Sequence, residues 1–178
     1  MNDSLLSFGS PAYLAVLGIV ALARGADFLS TWVASPQLLL EANPLARALG
    51  WRWGLVLNFA LAALVACWLL PAVILATASL LVAARNFQSA WLARSMGEEA
   101  YRRWLGERLA SAGRGVYLTC IVAQAALVAL VGLALVWTNP LESLAAAVGL
   151  GVLSYALAVL IFPLAGARRI WRETRARA

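Results

Sequence analysis

The segment from Trp53 to Ala84 reads WGLVLNFALAALVACWLLPAVILATASLLVAA, which is 32 residues without a charged side chain. Its apolar character continues to about Ala93. A helix of that total length would extend about 60 Å, twice the hydrocarbon thickness of a bilayer. We therefore predict two membrane spans, about 51–70 and 72–94, that fold back at Pro71. A single tilted helix over 53–84, kinked at the proline, is the alternative and would give four spans in total instead of five.

The composition of the whole chain points to the same environment. The sequence is 63% apolar and 12% charged, whereas a soluble globular chain is roughly 45–50% apolar and about a quarter charged. A chain of 178 residues has no core large enough to bury this excess. We predict an all-α integral membrane protein forming one transmembrane domain of about five helices. The remaining spans are expected at about 11–34, 115–138 and 143–165.

Arginine supplies every basic side chain and predicts the direction of the spans. Twelve of the 14 arginines fall in three segments, 35–52, 94–114 and the basic tail 166–178. Basic residues accumulate on the cytoplasmic side of membrane proteins, so we expect the N-terminus outside and the C-terminus in the cytoplasm. The absence of lysine beside abundant Ala and Leu suggests a GC-rich bacterial genome, hence the bacterial inner membrane. This placement also argues against nucleic acid as a partner.

Two further segments, one between the spans and one within the last span, have separate interpretations. Residues 95–114 place Tyr101, Trp104, Leu105 and Leu109 on one helical stripe, which is typical of an amphipathic helix lying along the membrane interface. The last span carries small residues at the pairs Ala145/Gly149 and Ala147/Gly151. Such a face suits packing within the chain as well as a homo-oligomer.

Residue types that are missing exclude several kinds of chemistry. The chain has no histidine, and its two cysteines, Cys67 and Cys120, both lie inside apolar segments. We therefore predict no metal site, no disulfide, no cofactor and no serine–histidine catalytic pair.

The polar residues inside the spans are the candidate functional site. When depth is counted in residues from the predicted outer surface, these polar residues share one layer just inward of the midplane. The loop after the first span could bring two more side chains, Glu41 and Asn43, toward this layer. A charge at mid-bilayer costs roughly 2.5–3.5 kcal/mol, so these groups should pair with one another. We expect Asp27 to pair with Arg85 across the first and third spans, which leaves one cation for Glu41 or an anionic ligand. The predicted binding residues are Arg24, Asp27, Thr31, Glu41, Asn43, Asn58, Arg85 and Asn86.

Part of this layer resembles a known sequence pattern. Asp27-Phe-Leu-Ser30-Thr31 followed by Glu41-Ala-Asn43-Pro44 is similar to the D-x-x-(S/T)-T … E-x-N-P pattern of a family of small uncharacterised prokaryotic multi-pass membrane proteins. The similarity covers about residues 24–90. Because that family has no established activity, the resemblance implies a multi-pass fold and draws attention to these positions, but implies no reaction.

Three functions compete at this stage. The first is binding or transport of a small anion, a polar metabolite or a lipid headgroup by the charged layer. The second is a structural or assembly role in which an ion pair only stabilises the bundle, with membrane lipids as its partners. The third is a lipid-acting enzyme with Asp27 or Glu41 as acid or base. No nucleophile–base pair, metal set or phosphate-binding glycine loop supports that third function, so we predict no catalytic residues.

Overall fold

The computed structural model describes residues 5–176, with the side chains of 5–172. This part of the chain contains six helices and no strand. The helices are α1 (Pro11–Ala34), α2 (Pro44–Val65), α3 (Leu69–Met96), α4 (Glu98–Ala112), α5 (Arg114–Thr138) and α6 (Leu144–Ala176). All of them except α4 are long and apolar enough to cross a membrane.

The turn between α2 and α3 decides between five spans and four. The chain leaves α2 at Val65 and starts α3 at Leu69, so the single helix over 53–84 is wrong. The turn lies a few residues before Pro71, which belongs to the first turn of α3. Proline is accepted there because the first amides of a helix have no acceptor within the helix. The proline marks the start of a helix and not the fold-back itself.

The helices pack in the order α1, α3, α6 and α5, with α2 against the outer side of α1. Val20, Ala62 and Ala72 form a buried cluster where α1, α2 and α3 meet. The hydroxyl of Tyr13 donates to the carbonyl of Ala63 at 3.1 Å and joins α1 to α2 at the same end. Elsewhere α2 touches its neighbours much less than the other spans do, and this leaves open space between α1 and α2.

Glycines bring α6 against both of its neighbours. A Cβ added at Gly132 or at Gly149 would lie 2.8 Å from the other glycine's carbonyl oxygen, and one at Gly151 would lie 2.6 Å from the Thr77 side chain. Only glycine permits such close approach of two backbones. The small residues predicted as a packing face are therefore used within the chain. A homo-oligomer through the last span remains a prediction.

Three elements at the predicted cytoplasmic end differ from expectation. Helix α2 begins at Pro44, earlier than predicted, and has a non-helical break at Gly50 with φ 62° and ψ −172°. Helix α4 buries Leu109 to 5% exposure, so part of its apolar stripe faces the bundle. Most of the predicted tail continues α6 as helix, since Ala and Arg are good helix formers. The side chains of Arg175 and Arg177 lie outside the described residues.

Candidate functional site

Arg24 is the centre of a hydrogen-bonded network that joins α1, α2 and α3. Its Nη1 donates to Asp27 Oδ2 at 2.9 Å and to Ser79 Oγ at 3.1 Å. Its Nε donates to Asn58 Oδ1 at 2.8 Å, and Nη2 contacts the same oxygen. The Asn58 amide in turn donates to the Gly54 carbonyl at 2.7 Å. Each of the three guanidinium nitrogens thus has an acceptor.

The expected pair between Asp27 and Arg85 is wrong. Asp27 forms its ion pair with Arg24, three residues earlier on the same helix. Side chains at i and i+3 are neighbours on a helix surface, so the pair forms without help from another span. The sequence spacing already placed these two residues on one face, and the local partner takes precedence over the distant one.

Thr31 and Asn86 join α1 to α3 one turn further inward. The Asn86 amide donates to Ser30 Oγ at 3.3 Å and to Thr31 Oγ1 at 3.4 Å, and both contacts are long for hydrogen bonds. Ser30 is fully buried and donates to the Asp27 carbonyl at 2.8 Å. These polar groups continue the Arg24 network along the same face of α1.

Glu41 and Asn43 act mainly within their own loop. The backbone amide of Asn43 donates to Glu41 Oε1 at 2.7 Å. The side-chain oxygen Oδ1 of Asn43 accepts from the backbone amide of Leu45 at 3.0 Å, which caps the start of α2. Glu41 lies close enough to Asp27 for the two charges to interact. The loop between α1 and α2 therefore lies close to the polar layer. Glu41 does not accept a hydrogen bond from Arg85 Nη1, which has no partner among the described residues.

Glu98, which the sequence analysis did not select, fixes the loop between α1 and α2. Its carboxylate accepts from Ser35 Oγ, from the backbone amide of Gln37 at 2.7 Å and from the backbone amide of Leu39 at 3.0 Å. Leu38, between those amides, has φ 58°, a conformation that costs a non-glycine residue energy. We call Ser35, Gln37, Leu39 and Glu98 the loop clasp.

Arg85 stands apart from the Arg24 network. Its Nη1 is buried and has no hydrogen-bond partner in the described part of the chain. Tyr117 of α5 lies close enough to Arg85 for the guanidinium charge to act on the phenol. The Tyr117 hydroxyl donates to the Pro163 carbonyl at 3.3 Å. The predicted single layer is thus two sites, one in which every guanidinium nitrogen has an acceptor and one with a buried nitrogen that has none.

The two sites have different chemical capacity. The Arg24 network holds no free guanidinium nitrogen, so it is suited to joining helices. Arg85 presents an unused cationic donor beside a phenol, an arrangement that an anionic oxygen would satisfy. Within the described residues no group of three or more metal-ligating side chains occurs.

Three residues with contacts at these sites carry almost no signal in the sequence. Ser79 is one hydroxyl in a long apolar segment, and serine is commonly tolerated in helices without a partner on another helix. Glu98 had an obvious local interpretation as an i, i+4 partner of Arg102. Tyr117 was indistinguishable from an aromatic residue at the membrane interface. Only the packing of α1, α3, α4 and α5 assigns each of them a contact.

No protein-family model, curated protein or solved structure matches this chain. The resemblance of Asp27–Thr31 and Glu41–Pro44 to the D-x-x-(S/T)-T … E-x-N-P pattern accordingly stays a prediction.

Proposed function

We propose that this chain is a multi-pass protein of the bacterial inner membrane that binds an anionic group at Arg85. The membrane placement is supported by five apolar helices whose outward faces carry large apolar side chains. Leu22, Leu127 and Leu130 are 76%, 66% and 61% exposed. Exposed apolar faces of this extent are unfavourable in water and suited to hydrocarbon. The arginine distribution supports an outer N-terminus and a cytoplasmic C-terminus.

The observation that carries the binding proposal is the free Nη1 of Arg85. A buried polar group without a partner costs about 1–3 kcal/mol, and a charged one costs more. Protein folds rarely keep such a group unless something else occupies it. An anionic oxygen supplied by a ligand would satisfy Nη1. The ligand class is a small anion, a polar metabolite with a carboxylate or phosphate, or a lipid headgroup.

Transport is an extension of this proposal and not a separate one. A transporter would need the same site together with a movement of the spans that opens it to the other side. The close glycine contacts join α6 to α3 at Thr77 and to α5 at Gly132, and they favour a fixed arrangement of these three spans over such a movement. Binding is therefore the function that the geometry supports best.

A structural role is the second candidate and has its own supporting observation. Every guanidinium nitrogen of Arg24 has an acceptor, and the network joins three helices. That role fits Arg24, Asp27 and Asn58, and it does not account for Arg85. No contact of Asp27 or Glu41 favours an enzymatic role over these two.

The experiment measures thermal unfolding of the detergent-purified chain in chloride buffer and in added phosphate, sulfate or acetate. A ligand present at 100 times its Kd stabilises by about 2.7 kcal/mol. At least one of these anions should raise the Tm of the wild type and leave the Tm of Arg85→Gln unchanged. Without added anion, Arg85→Gln should be at least as stable as the wild type, because an unpaired charge has been removed.

Arg108→Gln is the matched control, since Arg108 is exposed on α4. It should respond to each anion as the wild type does. If Arg85→Gln lowers the Tm in the absence of any anion, Arg85 has a structural partner and the binding proposal fails. Equal anion responses in the wild type and Arg85→Gln would also contradict it.

A further inference from the structure

The open space between α1 and α2 is a groove of about 580 Å³, within the roughly 300–1,000 Å³ range of ligand sites. Its walls are apolar and largely aromatic, with Phe28, Trp32, Trp51 and Leu55 among them. Gly25 forms part of the floor, and a Cβ added there would meet no atom within 4 Å. We call this space the α1–α2 groove.

Three contacts fix the shape of the groove. The Phe28 ring lies 5.0 Å from the Trp51 ring, edge to face, and within 3.5 Å of the position that a Cβ of Gly54 would occupy. The Trp51 indole donates to the Pro36 carbonyl at 2.7 Å. The aromatic wall is therefore held by both helices and by the loop that joins them. A small cavity of about 50 Å³ continues the groove toward Arg24 and Asn58 and shares Gly25, Phe28 and Leu55 with it.

The groove opens on the apolar flank of the bundle. Leu29 and Trp32 in its walls are 51% and 48% exposed, and Phe59 beside the smaller cavity is 57% exposed. In the membrane placement proposed above, acyl chains surround this flank. An apolar groove that opens sideways at that depth is accessible to a chain already dissolved in the bilayer.

One end of the groove is positively charged. Arg52 lines it and is exposed. The guanidinium carbon of Arg94 lies 5.6 Å from the centre of the Trp32 ring, which places a second cation at the same wall. Neither arginine has a carboxylate partner in the described part of the chain, and no acidic side chain lines the groove. A headgroup seated at this end would meet uncompensated positive charge.

We propose that the α1–α2 groove binds one anionic phospholipid, with an acyl chain along Phe28 and Leu55 and the headgroup phosphate at Arg52 and Arg94. Guanidinium groups hydrogen-bond phosphate oxygens readily, and tryptophans favour the depth where acyl chain and headgroup meet. The proposal shares the membrane placement with the proposed function but does not depend on ligand binding at Arg85, which lines neither the groove nor the smaller cavity.

The test uses the full chain in detergent, titrated with dioleoylphosphatidylglycerol or dioleoylphosphatidylcholine and analysed by native mass spectrometry. Two arginines near the surface predict a preference of about tenfold or more for the anionic lipid. Arg52→Gln with Arg94→Gln should reduce this preference to near unity. Both side chains are exposed, so the fold should be retained.

Gly25→Leu tests the groove itself, because a Cβ at this position meets no atom within 4 Å, so that the leucine can extend into the groove, and leucine also favours the helix. It should lose most of the bound lipid. Gly18→Leu is the matched control: Gly18 lies two turns earlier on the same face of α1, also has open space at its Cβ, and lines neither cavity. It should bind as the wild type does.

Three results would overturn the proposal. The first is that the wild type retains the two lipids equally. The second is that Gly25→Leu binds as much lipid as Gly18→Leu does. The third is that the wild type forms a dimer instead of a lipid-bound monomer and that Gly25→Leu abolishes this dimer. If Gly25→Leu does not fold, the arginine double variant decides alone. Arg85→Gln should leave lipid retention unchanged, so failure of the groove and failure of the Arg85 site are distinguishable.

Discussion

Arg24 and Arg85 were predicted at similar depth in the same layer, yet their surroundings are opposite. Arg24 has an aspartate one turn away, an asparagine on α2 and a serine on α3. Arg85 has a buried nitrogen with no acceptor among the described residues. Charge neutralisation therefore stabilises one arginine, whereas the other retains an unused donor. A stability experiment can separate the two conditions.

A double-mutant cycle on Arg24 and Asp27 should give a large coupling. Removing one member of a buried pair costs up to about 3–5 kcal/mol, because the remaining charge stays desolvated. We expect Arg24→Gln and Asp27→Asn each to lower the Tm in detergent, and the double variant to be milder than the sum by about 0.5–3 kcal/mol.

The control is a second double-mutant cycle, on Asp27 and Arg85. Because Asp27 pairs with Arg24 instead, Asp27→Asn and Arg85→Gln should add to within about 0.5 kcal/mol. Coupling between Asp27 and Arg85 as strong as that between Asp27 and Arg24 would contradict the structure.

The sequence identified the residues of the site better than it identified their partners. The cost of charged and polar side chains in hydrocarbon is sufficient to select Arg24, Asp27, Asn58 and Arg85. Which of these residues pair depends on how each helix is rotated about its axis. Because the spans carry apolar residues on every face, the sequence does not determine this rotation. A distant partner for Asp27 was therefore chosen where a local one was available.

At the scale of whole elements, the loop clasp joins the loop between α1 and α2 to the start of α4. The Glu98 carboxylate accepts from two loop amides and a hydroxyl, and hydrogen bonds to charged groups contribute about 1.5–3 kcal/mol each. The clasp also holds Leu38 at positive φ. Because the Pro36 carbonyl accepts from Trp51, the clasp also supports one wall of the α1–α2 groove.

Glu98→Gln should loosen the clasp without unfolding the spans. The glutamine amide replaces one acceptor oxygen by a donor that would face another donor. We expect faster hydrogen–deuterium exchange of the Gln37 and Leu39 amides, measured by mass spectrometry on peptides covering 35–41. Glu99→Gln, at the exposed neighbouring position, should leave exchange there unchanged. Equal exchange in the two variants would mean that the carboxylate of Glu98 does not hold the loop.

The elements were more predictable than their ends. Hydropathy and length give five apolar helices because both are summed over about 20 residues. The ends of the helices depend on single residues, and such a residue is compatible with more than one local structure. Pro71 marks a helix start as readily as a turn, and Gly50 breaks the geometry of α2 although hydrogen bonding continues on both sides. Arginine at 166–178 indicated a tail, but it is compatible with the continued helix of α6.

At the scale of the whole molecule, five spans require the two ends of the chain to lie on opposite sides of the membrane. In the orientation proposed above, the loop between α5 and α6 lies outside and the end of α4 lies in the cytoplasm. Glu142 and Ser111 are exposed positions in these two regions. They report on direction without disturbing any contact between spans.

Single cysteines at these positions should react from opposite sides. In a version without Cys67 and Cys120, Glu142→Cys in intact cells should be labelled by a membrane-impermeant maleimide, and Ser111→Cys only after the cells are opened. The parent without cysteines is the control for background. Labelling of both positions from the same side would exclude the five-span topology, and labelling with the reverse pattern would exclude its direction.

The ion pair within α1 has a consequence for how the protein is made. α1 is synthesised first, before the ribosome has produced Asn58 or Ser79. Arg24 and Asp27 lie one turn apart on the same helix, so that, in the proposed membrane placement, α1 enters the bilayer with no net charge along its length. Its entry into lipid need not await the later helices, whose Asn58 and Ser79 add their hydrogen bonds on arrival. An arginine whose only counter-charge lay on α3 would have required the first helix to wait for the third.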